Sequence, residues 1–457
     1  MLTGAALLFL TAAYAQTNST TISQPGVGNG ASVSQSGQNQ EVTISQPGDD
    51  NSVITSQTSV YQQRIFVDQN GNGNAADLKQ DDNAGPGNVI RVEQNGNGGS
   101  ANVDQSSSYT ESSRAVIRQN GENHTGNINQ LGAVESEARI KQGGAGAGST
   151  ATINQSGYFL DAELRQRGEL NEATVTQEGV SHSADVEQIG DRNTAQITQY
   201  GEVQNEAYVQ QLGNRNRVNA LQDGGNHDIN LLQDGNRNEA LFRQRGDNMN
   251  AYVDQIGNRN DVAVYQRGND NDTYIAQDGN NLSAEVFQQN RNNLADINQT
   301  GRDHNAGVDQ SGRNQYVNIV QGGSVENEAY VIQTGRNNDA YVDQRGANHD
   351  VNLTQNGTGS GNYASFRQRG DNMNATATQT GEENYFELRQ NGTNGYVTIE
   401  QNGEGNVIEG LNGPLSPTRQ IGDGHSMNLL QTGVEGLIQI EQTGSGHSAT
   451  VIQNNNP

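Results

Sequence analysis

The sequence predicts an all-β fold, a β-solenoid of about nineteen two-stranded coils, because one glutamine recurs at a near-constant interval. The chain has 457 residues, and 38 of its glutamines, from Gln24 to Gln453, are spaced by eleven positions in 28 of the 37 intervals between them. Glycine stands two residues after 33 of these glutamines. A short fixed period is typical of repeat proteins in which each unit packs only against its neighbours.

The residues between two glutamines predict the local structure. The consensus is Gln-x-Gly-x-x-Asn-x-Ala-x-Val-x-Gln, as in the segment from Asn338 to Gln344. Alternation over seven residues places Asn, Ala, Val and Gln on one face of a strand and the variable residues on the other. The four residues around the glycine form a tight turn that needs a positive φ or a close backbone approach. Two half-repeats of about 11 residues therefore make one coil of about 22 residues.

The interior of this solenoid is predicted to be polar. Only 31% of the residues are hydrophobic and the net charge is −26, a composition typical of disorder unless periodicity opposes it. Buried amides are stable if each one bonds to its copy in the coils above and below. The predicted ladder residues are Gln188, Asn193, Gln199, Asn216, Gln233, Asn238, Gln255, Asn260, Gln277 and Gln344. The predicted turn glycines are Gly190, Gly213, Gly235, Gly257 and Gly279.

Residues 1–15 are predicted to be a signal peptide, and residues 16–457 the solenoid. An apolar stretch ends in Ala13-Tyr-Ala15, a small-x-small cleavage site, so we expect cleavage between Ala15 and Gln16. No other stretch approaches the about 20 apolar residues that a membrane span requires. The chain contains no cysteine, which suits an exported protein without disulfides.

The repeat is irregular in three places. Lengthened turns are expected to form loops at residues 81–87 and 142–148. Residues 402–420 are predicted to be a degenerate coil or a loop, in which Asn412 takes the glutamine position. Pro414 and Pro417 follow it and remove backbone donors that a sheet would use.

The sequence offers no catalytic, cofactor or metal site. All seven histidines stand five residues after a repeat glutamine, where Asn is usual: His124, His182, His227, His304, His349, His425 and His447. His425 and His447 are one predicted coil apart and could stack as metal ligands, but no cysteine or carboxylate joins them at ligand spacing. We therefore interpret these histidines as hydrogen-bonding replacements for Asn. The acidic turn residues drift in position, which argues against dedicated calcium sites.

Two surface features could either bind a partner or have no binding role. Arg-Gly-Asp occurs at Arg245 and Arg369, either as a receptor-binding tripeptide or as a turn consensus followed by a chance Asp. Outward tyrosines such as Tyr252 and Tyr274, one predicted coil apart, are expected to stack. They serve either lateral contact between copies or adsorption to a surface, or they reflect only the ordinary β-propensity of an exposed strand face.

The consensus closely resembles the curlin repeat of curli fibre subunits, which are secreted functional amyloids of the bacterial biofilm matrix. Residues Gln188 to Gln199 match its second half almost letter for letter, and the resemblance runs from about residue 18 to 453. It implies a secreted subunit that assembles end to end into extracellular fibres for adhesion and biofilm. It also implies a nucleator subunit and a curli-type outer-membrane secretion pore as partners. The chain itself could be the major subunit or a minor nucleator.

Two other classes of function are weighed against the fibre subunit. A monomeric surface- or ice-binding solenoid needs a regular outward array of threonines, and we expect Thr174 with Thr176, and Thr376 with Thr378, to be isolated pairs. A polysaccharide-active enzyme needs long loops that bring carboxylates together, for which turns of about four residues leave no place. The excess of 52 acidic over 26 basic residues argues against nucleic acid or anionic lipid as a partner.

Overall fold

The computed structural model of the protein describes residues 17–59, 61–80, 86–106, 110–144, 146 and 148–455. Within these residues all regular structure is β-strand, arranged as about nineteen coils, so the predicted β-solenoid is confirmed. No helix long and apolar enough to cross a membrane occurs among them. The predicted leader, with its cleavage site at Ala15 and Gln16, lies outside the described residues, as do residues 81–85, 145 and 147 of the two predicted loops.

The chain forms two compact units, Met1–Asp234 and Gly235–Pro457. In the first unit the strands are β1 (Ser19–Ser23), β2 (Gly30–Gly37), β3 (Gln40–Ser45), β4 (Ser52–Ser59), β5 (Gln63–Gln69), β6 (Ala75–Gln80), β7 (Asn88–Gln94), β8 (Ser100–Asp104), β9 (Arg114–Gly121), β10 (Thr125–Val134), β11 (Glu137–Gly144), β12 (Thr150–Tyr158), β13 (Asp161–Arg167), β14 (Glu172–Val180), β15 (Ser183–Ile189), β16 (Thr194–Gly201), β17 (Asn205–Asn214) and β18 (Arg217–Gly225). Odd-numbered strands pair in parallel to form one sheet, and even-numbered strands form the other.

Strand β19 (His227–Asn236) contains the boundary between the units. In the second unit the strands are β20 (Glu239–Asp247), β21 (Asn250–Asn258), β22 (Asp261–Asn269), β23 (Asp272–Asn280), β24 (Ser283–Arg291), β25 (Leu294–Arg302), β26 (Asn305–Arg313), β27 (Tyr316–Val325), β28 (Glu328–Arg336), β29 (Asp339–Ala347), β30 (Asp350–Gly357), β31 (Tyr363–Asp371), β32 (Asn374–Glu382), β33 (Tyr385–Thr393), β34 (Tyr396–Glu404), β35 (Val407–Glu409), β36 (Thr418–Asp423), β37 (Ser426–Val434), β38 (Leu437–Gln439), β39 (Glu441–Ser445) and β40 (Ser448–Asn455). They too form two parallel sheets, in which β35, β36, β38 and β39 join the odd-numbered strands β21 to β33, and β37 and β40 join the even-numbered strands β20 to β34.

The strands pair in register because equal positions of successive coils carry the same kind of residue. Ala173 lies beside Ala195, and Gln177 beside Gln199. The strand burial alternates with a period of two, and Ala195 and Gln199 are fully or almost fully buried. A shift by one residue would turn these side chains to solvent, so the inward pattern fixes the register.

The prediction for Asn412 is wrong. Strands β35 and β36 together occupy one strand position, because both pair with β33. Residues 410–417 leave the sheet between them, and Asn412 is exposed in this loop. Gln420 takes the glutamine position and accepts a hydrogen bond from Gln390 at 2.9 Å. A hydrogen bond holds the loop against the end of β35, because the Glu409 side chain accepts the backbone N–H of Leu415 at 2.5 Å.

Candidate functional site

The glutamines form two buried ladders, one in each sheet. Within the first unit Gln188 Nε2 donates to Gln211 Oε1 at 2.8 Å, and Gln199 donates in the same way to Gln222 at 2.8 Å. Within the second unit Gln255 donates to Gln277 at 3.0 Å. The predicted ladders of buried amides are therefore confirmed as part of the fold. Further steps run from Gln211 to Gln233, Gln277 to Gln299, Gln299 to Gln321, Gln321 to Gln344 and Gln344 to Gln368, at 2.8–3.1 Å.

Many ladder glutamines also join the two sheets, which the sequence did not predict. The amide of Gln188 donates to the backbone carbonyl of Glu172, the first residue of β14 in the other sheet, at 3.1 Å. Gln255 makes the same bond to the carbonyl of Glu239 at 2.9 Å. One glutamine side chain thus donates one hydrogen bond to the glutamine of the next coil and one to a backbone carbonyl of the opposite sheet. Such shared bonds explain why a mostly polar interior is stable.

The asparagines form a second spine, in which side chains bond mainly to backbone. Asn193 Oδ1 accepts the backbone N–H of Asn216 at 2.9 Å, and its Nδ2 donates to the carbonyl of Gly213 at 2.8 Å. In the second unit Asn238 Oδ1 accepts the N–H of Asn260 at 3.0 Å. Asn238 Nδ2 donates to the carbonyl of Gly257 at 3.1 Å. Each of these asparagines therefore bonds to the backbone of the turn in the next coil, and not only to the asparagine at the equivalent position.

The turn glycines lie directly beneath the turn of the next coil. Gly190 has φ of 114°, and a Cβ atom placed on it would lie 2.0 Å from the carbonyl oxygen of Gly213. At Gly257, with φ of 112°, the same atom would lie 1.9 Å from the carbonyl oxygen of Gly279. Gly213 and Gly235 also have positive φ, 104° and 131°. Both conformation and space therefore require glycine at this position.

We expect Gly190→Ala to destabilise the first unit by at least about 2 kcal/mol, because it adds strain at positive φ to a backbone clash. The control is Gly73→Asn. Gly73 has φ of 67° and nothing lies within 4 Å of an added Cβ atom, and Asn tolerates the left-handed region. Chemical denaturation of both variants measures the difference. Equal midpoints for both would contradict the close packing of the turns.

A second left-handed position, which was not predicted from the sequence, lies four residues after the glutamine. Arg192, Arg237 and Arg259 have φ of 58–60°, and Asn248 and Asn281 have φ of 54–56°. Asn and Asp adopt this region more readily than most residues. Their recurrence at this position was the signal that could have revealed it.

Histidines replace Asn in the spine, and His182 makes the same pair of contacts. His182 Nδ1 accepts the backbone N–H of Asn205 at 3.2 Å, and its Nε2 lies 3.1 Å from the carbonyl of Gly201. These contacts fit a neutral ring with its hydrogen on Nε2, and they support the hydrogen-bonding interpretation. His124 Nδ1 likewise accepts from Ser149, and His304 Nδ1 from Asn327, each at 3.1 Å. No group of three or more His, Asp or Glu in the described residues could hold a metal ion.

Acidification is expected to destabilise the solenoid through these histidines. Burial lowers the pKa of His124, His182, His304 and His349 below the ordinary 6.5. Because the folded-state pKa is the lower one, their stabilisation is fully present above pH 6.5 and is lost as pH falls through the folded-state values. His182→Asn should therefore melt with a shallower pH dependence than the parent between pH 7.5 and 5, followed by circular dichroism. An unchanged dependence would contradict this account.

The first coil leaves a polar face without a partner. Among the described strands β1 pairs only with β3, and β2 only with β4. Gln24 Nε2 donates to Gln46 at 2.6 Å, whereas its Oε1 has no donor among the described residues. Asn29 Oδ1 accepts the backbone N–H of Asn51 at 2.9 Å, whereas the backbone N–H of Asn29 has no acceptor among the described residues. Val33, inward by pattern, is only half-buried.

The last coil leaves the complementary face. Strand β40 pairs only with β37 among the described strands. Gln453 Oε1 accepts from Gln431 at 3.1 Å, and its Nε2 has no acceptor in the described chain. Val451 is half-buried, and His447 is exposed. The two ends of the chain thus have opposite hydrogen-bonding character.

Stacked parallel coils, amide ladders and glycine turns define a repeat protein of the β-solenoid class. The Curlin associated repeat matches residues 18–48, 160–190, 168–201, 190–224, 224–257, 257–289, 291–323 and 326–357. The chain is therefore a member of the curlin-repeat family, a structural family rather than an enzyme family. The comparison with curated proteins gave no match to this sequence.

Proposed function

We propose that the protein is a secreted structural subunit that stacks end to end into curli-like amyloid fibres of the extracellular matrix, which support adhesion and biofilm. The observation that carries the proposal is the complementarity of the two end coils. At the ladder positions the first coil offers the side-chain oxygen of Gln24, and the last coil offers the side-chain N–H groups of Gln453. Membership of the curlin-repeat family supports the same function.

The direction of the ladders supports head-to-tail stacking. In the ladder steps described above, Nε2 of the earlier glutamine donates to Oε1 of the later one. When β39 and β40 of one copy meet β1 and β2 of another, Gln442 faces Gln24 and Gln453 faces Gln35 in the same sense. Head-to-head stacking would instead oppose two acceptors. Each wrong pairing would leave buried amide groups unsatisfied, at about 1–3 kcal/mol per group.

The exposed edges supply the driving force. Unpaired backbone groups at a sheet edge are a template for another strand. Stacking also covers half-buried apolar side chains, Ile22 and Val33 at one end and Val451 at the other. A homopolymer therefore continues the core that already exists within the chain.

Export is part of the proposal. A leader removed between Ala15 and Gln16 would direct the chain out of the cytoplasm. A curli-type outer-membrane pore and a nucleator subunit are the partners that the family relationship suggests. The net charge of −26 keeps free copies apart before assembly.

Fibre growth by the purified protein tests the proposal. Without cofactor or nucleotide it should form fibres that bind amyloid dyes and diffract at about 4.7–4.8 Å along the axis. Preformed fibres should seed growth, and salt should speed it because screening shortens charge repulsion to about 8 Å at physiological strength. A protein that stays monomeric at high concentration, seeded and salted, would contradict the proposal.

One surface favours a second candidate, a surface-binding solenoid. The expectation that Thr174 and Thr176 are isolated is wrong, since they lie beside Thr152 and Asn154 in β12, and Thr176 also lies beside Thr198 in β16. Between the start of each strand and its ladder glutamine, the outward positions of β10, β12, β14 and β16 include one charged residue, Glu172, among twelve: Thr125, Asn127, Asn129, Thr150, Thr152, Asn154, Glu172, Thr174, Thr176, Thr194, Gln196 and Thr198. Beyond the glutamine, β14 also carries the exposed Glu178. Inhibition of ice recrystallisation by a persistently monomeric protein would favour this candidate over the fibre subunit.

A further inference from the structure

We propose that each joint between two copies is closed by a hydrogen bond from the backbone N–H of Asn29 to Nδ1 of His447 in the adjoining copy, and that protonation of His447 opens the joint. This inference rests on the proposed head-to-tail assembly and adds its regulation by pH.

The same bond occurs repeatedly within the chain. A histidine Nδ1 accepts the backbone N–H of the residue in the equivalent position one coil later at His124, His182, His304 and His425, at 3.1–3.3 Å. In the last of these, the donor is the N–H of His447 itself. His447 therefore stands one coil beyond a histidine that already makes this contact.

His447 and Asn29 occupy equivalent positions at opposite ends. His447 follows Gln442 by five residues and lies between β39 and β40, and Asn29 follows Gln24 by five and lies between β1 and β2. The His447 ring stacks on that of His425, with centroids 5.3 Å apart and planes 11° apart. This stacking orients the exposed ring as in the interior coils. A copy docked in register thus brings the unpaired N–H of Asn29 to Nδ1 of His447.

Protonation removes the acceptor. A neutral imidazole with its hydrogen on Nε2 offers a lone pair at Nδ1, whereas an imidazolium carries N–H on both nitrogens. The N–H of Asn29 would then face another donor. Exposed histidines in general change charge between pH 8 and 5. Acidification is therefore expected to weaken every joint.

The surroundings of His447 offer little to offset that charge in the fibre. Residues 17–40 of the incoming copy contain no Asp, Glu, Lys or Arg, so its first coil brings no carboxylate to the joint. The titratable groups on the elements next to His447 are His425, Arg419 and Asp423 of β36, and Glu441 in β39. The Asp423 carboxylate already accepts a hydrogen bond from Thr393 at 2.8 Å.

Seeded elongation of the purified protein at pH 7.5 and pH 5.5 tests the joint, with His447→Asn as the matched variant. Asn is the usual residue at this position and accepts the same bond without titrating. The parent should elongate about tenfold more slowly at pH 5.5 than at pH 7.5, because a joint in which two donors face each other loses a hydrogen bond. His447→Asn should elongate like the parent at pH 7.5, within about twofold, and should lose no rate on acidification.

The possible results distinguish a failure of the proposed role of His447 from a failure of the proposed fibre assembly. A parent that elongates equally fast at both pH values, or a variant that slows as much as the parent, would overturn the role of His447 while leaving the fibre intact. Because both proteins keep the six other histidines, their effect on stability cancels in the comparison. If neither protein elongates at either pH, the proposed function fails and the joint fails with it.

Discussion

Val451→Asp is expected to reduce the elongation rate of fibres by at least about a hundredfold. Val451 points into the core of the last coil and is only half-buried, because no coil covers it. Docking of another copy would bury the new carboxylate without a partner, at a cost of several kcal/mol. About 2.8 kcal/mol already corresponds to a hundredfold change in an equilibrium constant. Seeded growth followed by dye fluorescence and electron microscopy measures the effect.

Ile452→Asp is the matched control, since Ile452 is the next residue of β40 and points outward, with 63% of its surface exposed. It should elongate within a few-fold of the parent. Val451→Asp retains a normal first coil, so it should also add to the last coil of a parent fibre and stop growth there. Substoichiometric amounts should therefore shorten parent fibres. Equal growth of the two variants would contradict stacking through the last coil.

Gln277→Leu is expected to lower the stability of the second unit. Gln277 accepts from Gln255 at 3.0 Å and donates to Gln299 at 2.9 Å and to the carbonyl of Asp261 at 3.1 Å. Leucine makes none of these bonds. The two ladder partners left unsatisfied cost about 1–3 kcal/mol each, so the expected loss is about 2–6 kcal/mol. Assembly should slow but persist, because the lesion affects one coil among about nineteen.

Ala276→Leu is the control, since it introduces the same side chain at the outward-facing neighbour in β23. Chemical denaturation should show a lowered midpoint for Gln277→Leu and little change for Ala276→Leu. Hydrogen exchange should be faster in β23 and its two neighbours in the first variant only. Equal stability of both variants would mean that the glutamine ladder contributes nothing to the core.

The sequence predicted the coil, its register and its inward residues because the repeat expresses all three. It did not predict the second bond of Gln188, since a partner 16 residues earlier becomes near only when the two sheets face each other. For residues 402–420 the sequence left a degenerate coil and a loop as alternatives. The long interval between Gln401 and Gln420 fits either a degenerate coil or a strand interrupted by a loop, and only the pairing of β35 and β36 with β33 distinguishes them.

The properties of the end coils cannot be predicted from the repeat alone. The position of His447 in the spine follows from the repeat, but its exposure follows from being in the last described coil. Likewise the threonines of β12 and β14 look isolated along the sequence and become neighbours only through parallel pairing. Periodicity therefore predicts what every coil shares, and the structure is needed for what distinguishes one coil from another.

Disulfide cross-linking between two single-cysteine variants tests head-to-tail stacking most directly, because the natural chain has no cysteine. In-register stacking of β40 on β2 places Thr450 of one copy beside Ser32 of the next, within the distance that a disulfide spans. A mixture of Ser32→Cys and Thr450→Cys should form cross-linked dimers on assembly under mild oxidation, whereas Thr450→Cys mixed with Thr174→Cys should not. Abundant Ser32–Ser32 or Thr450–Thr450 dimers, or fibres without the mixed dimer, would contradict the account.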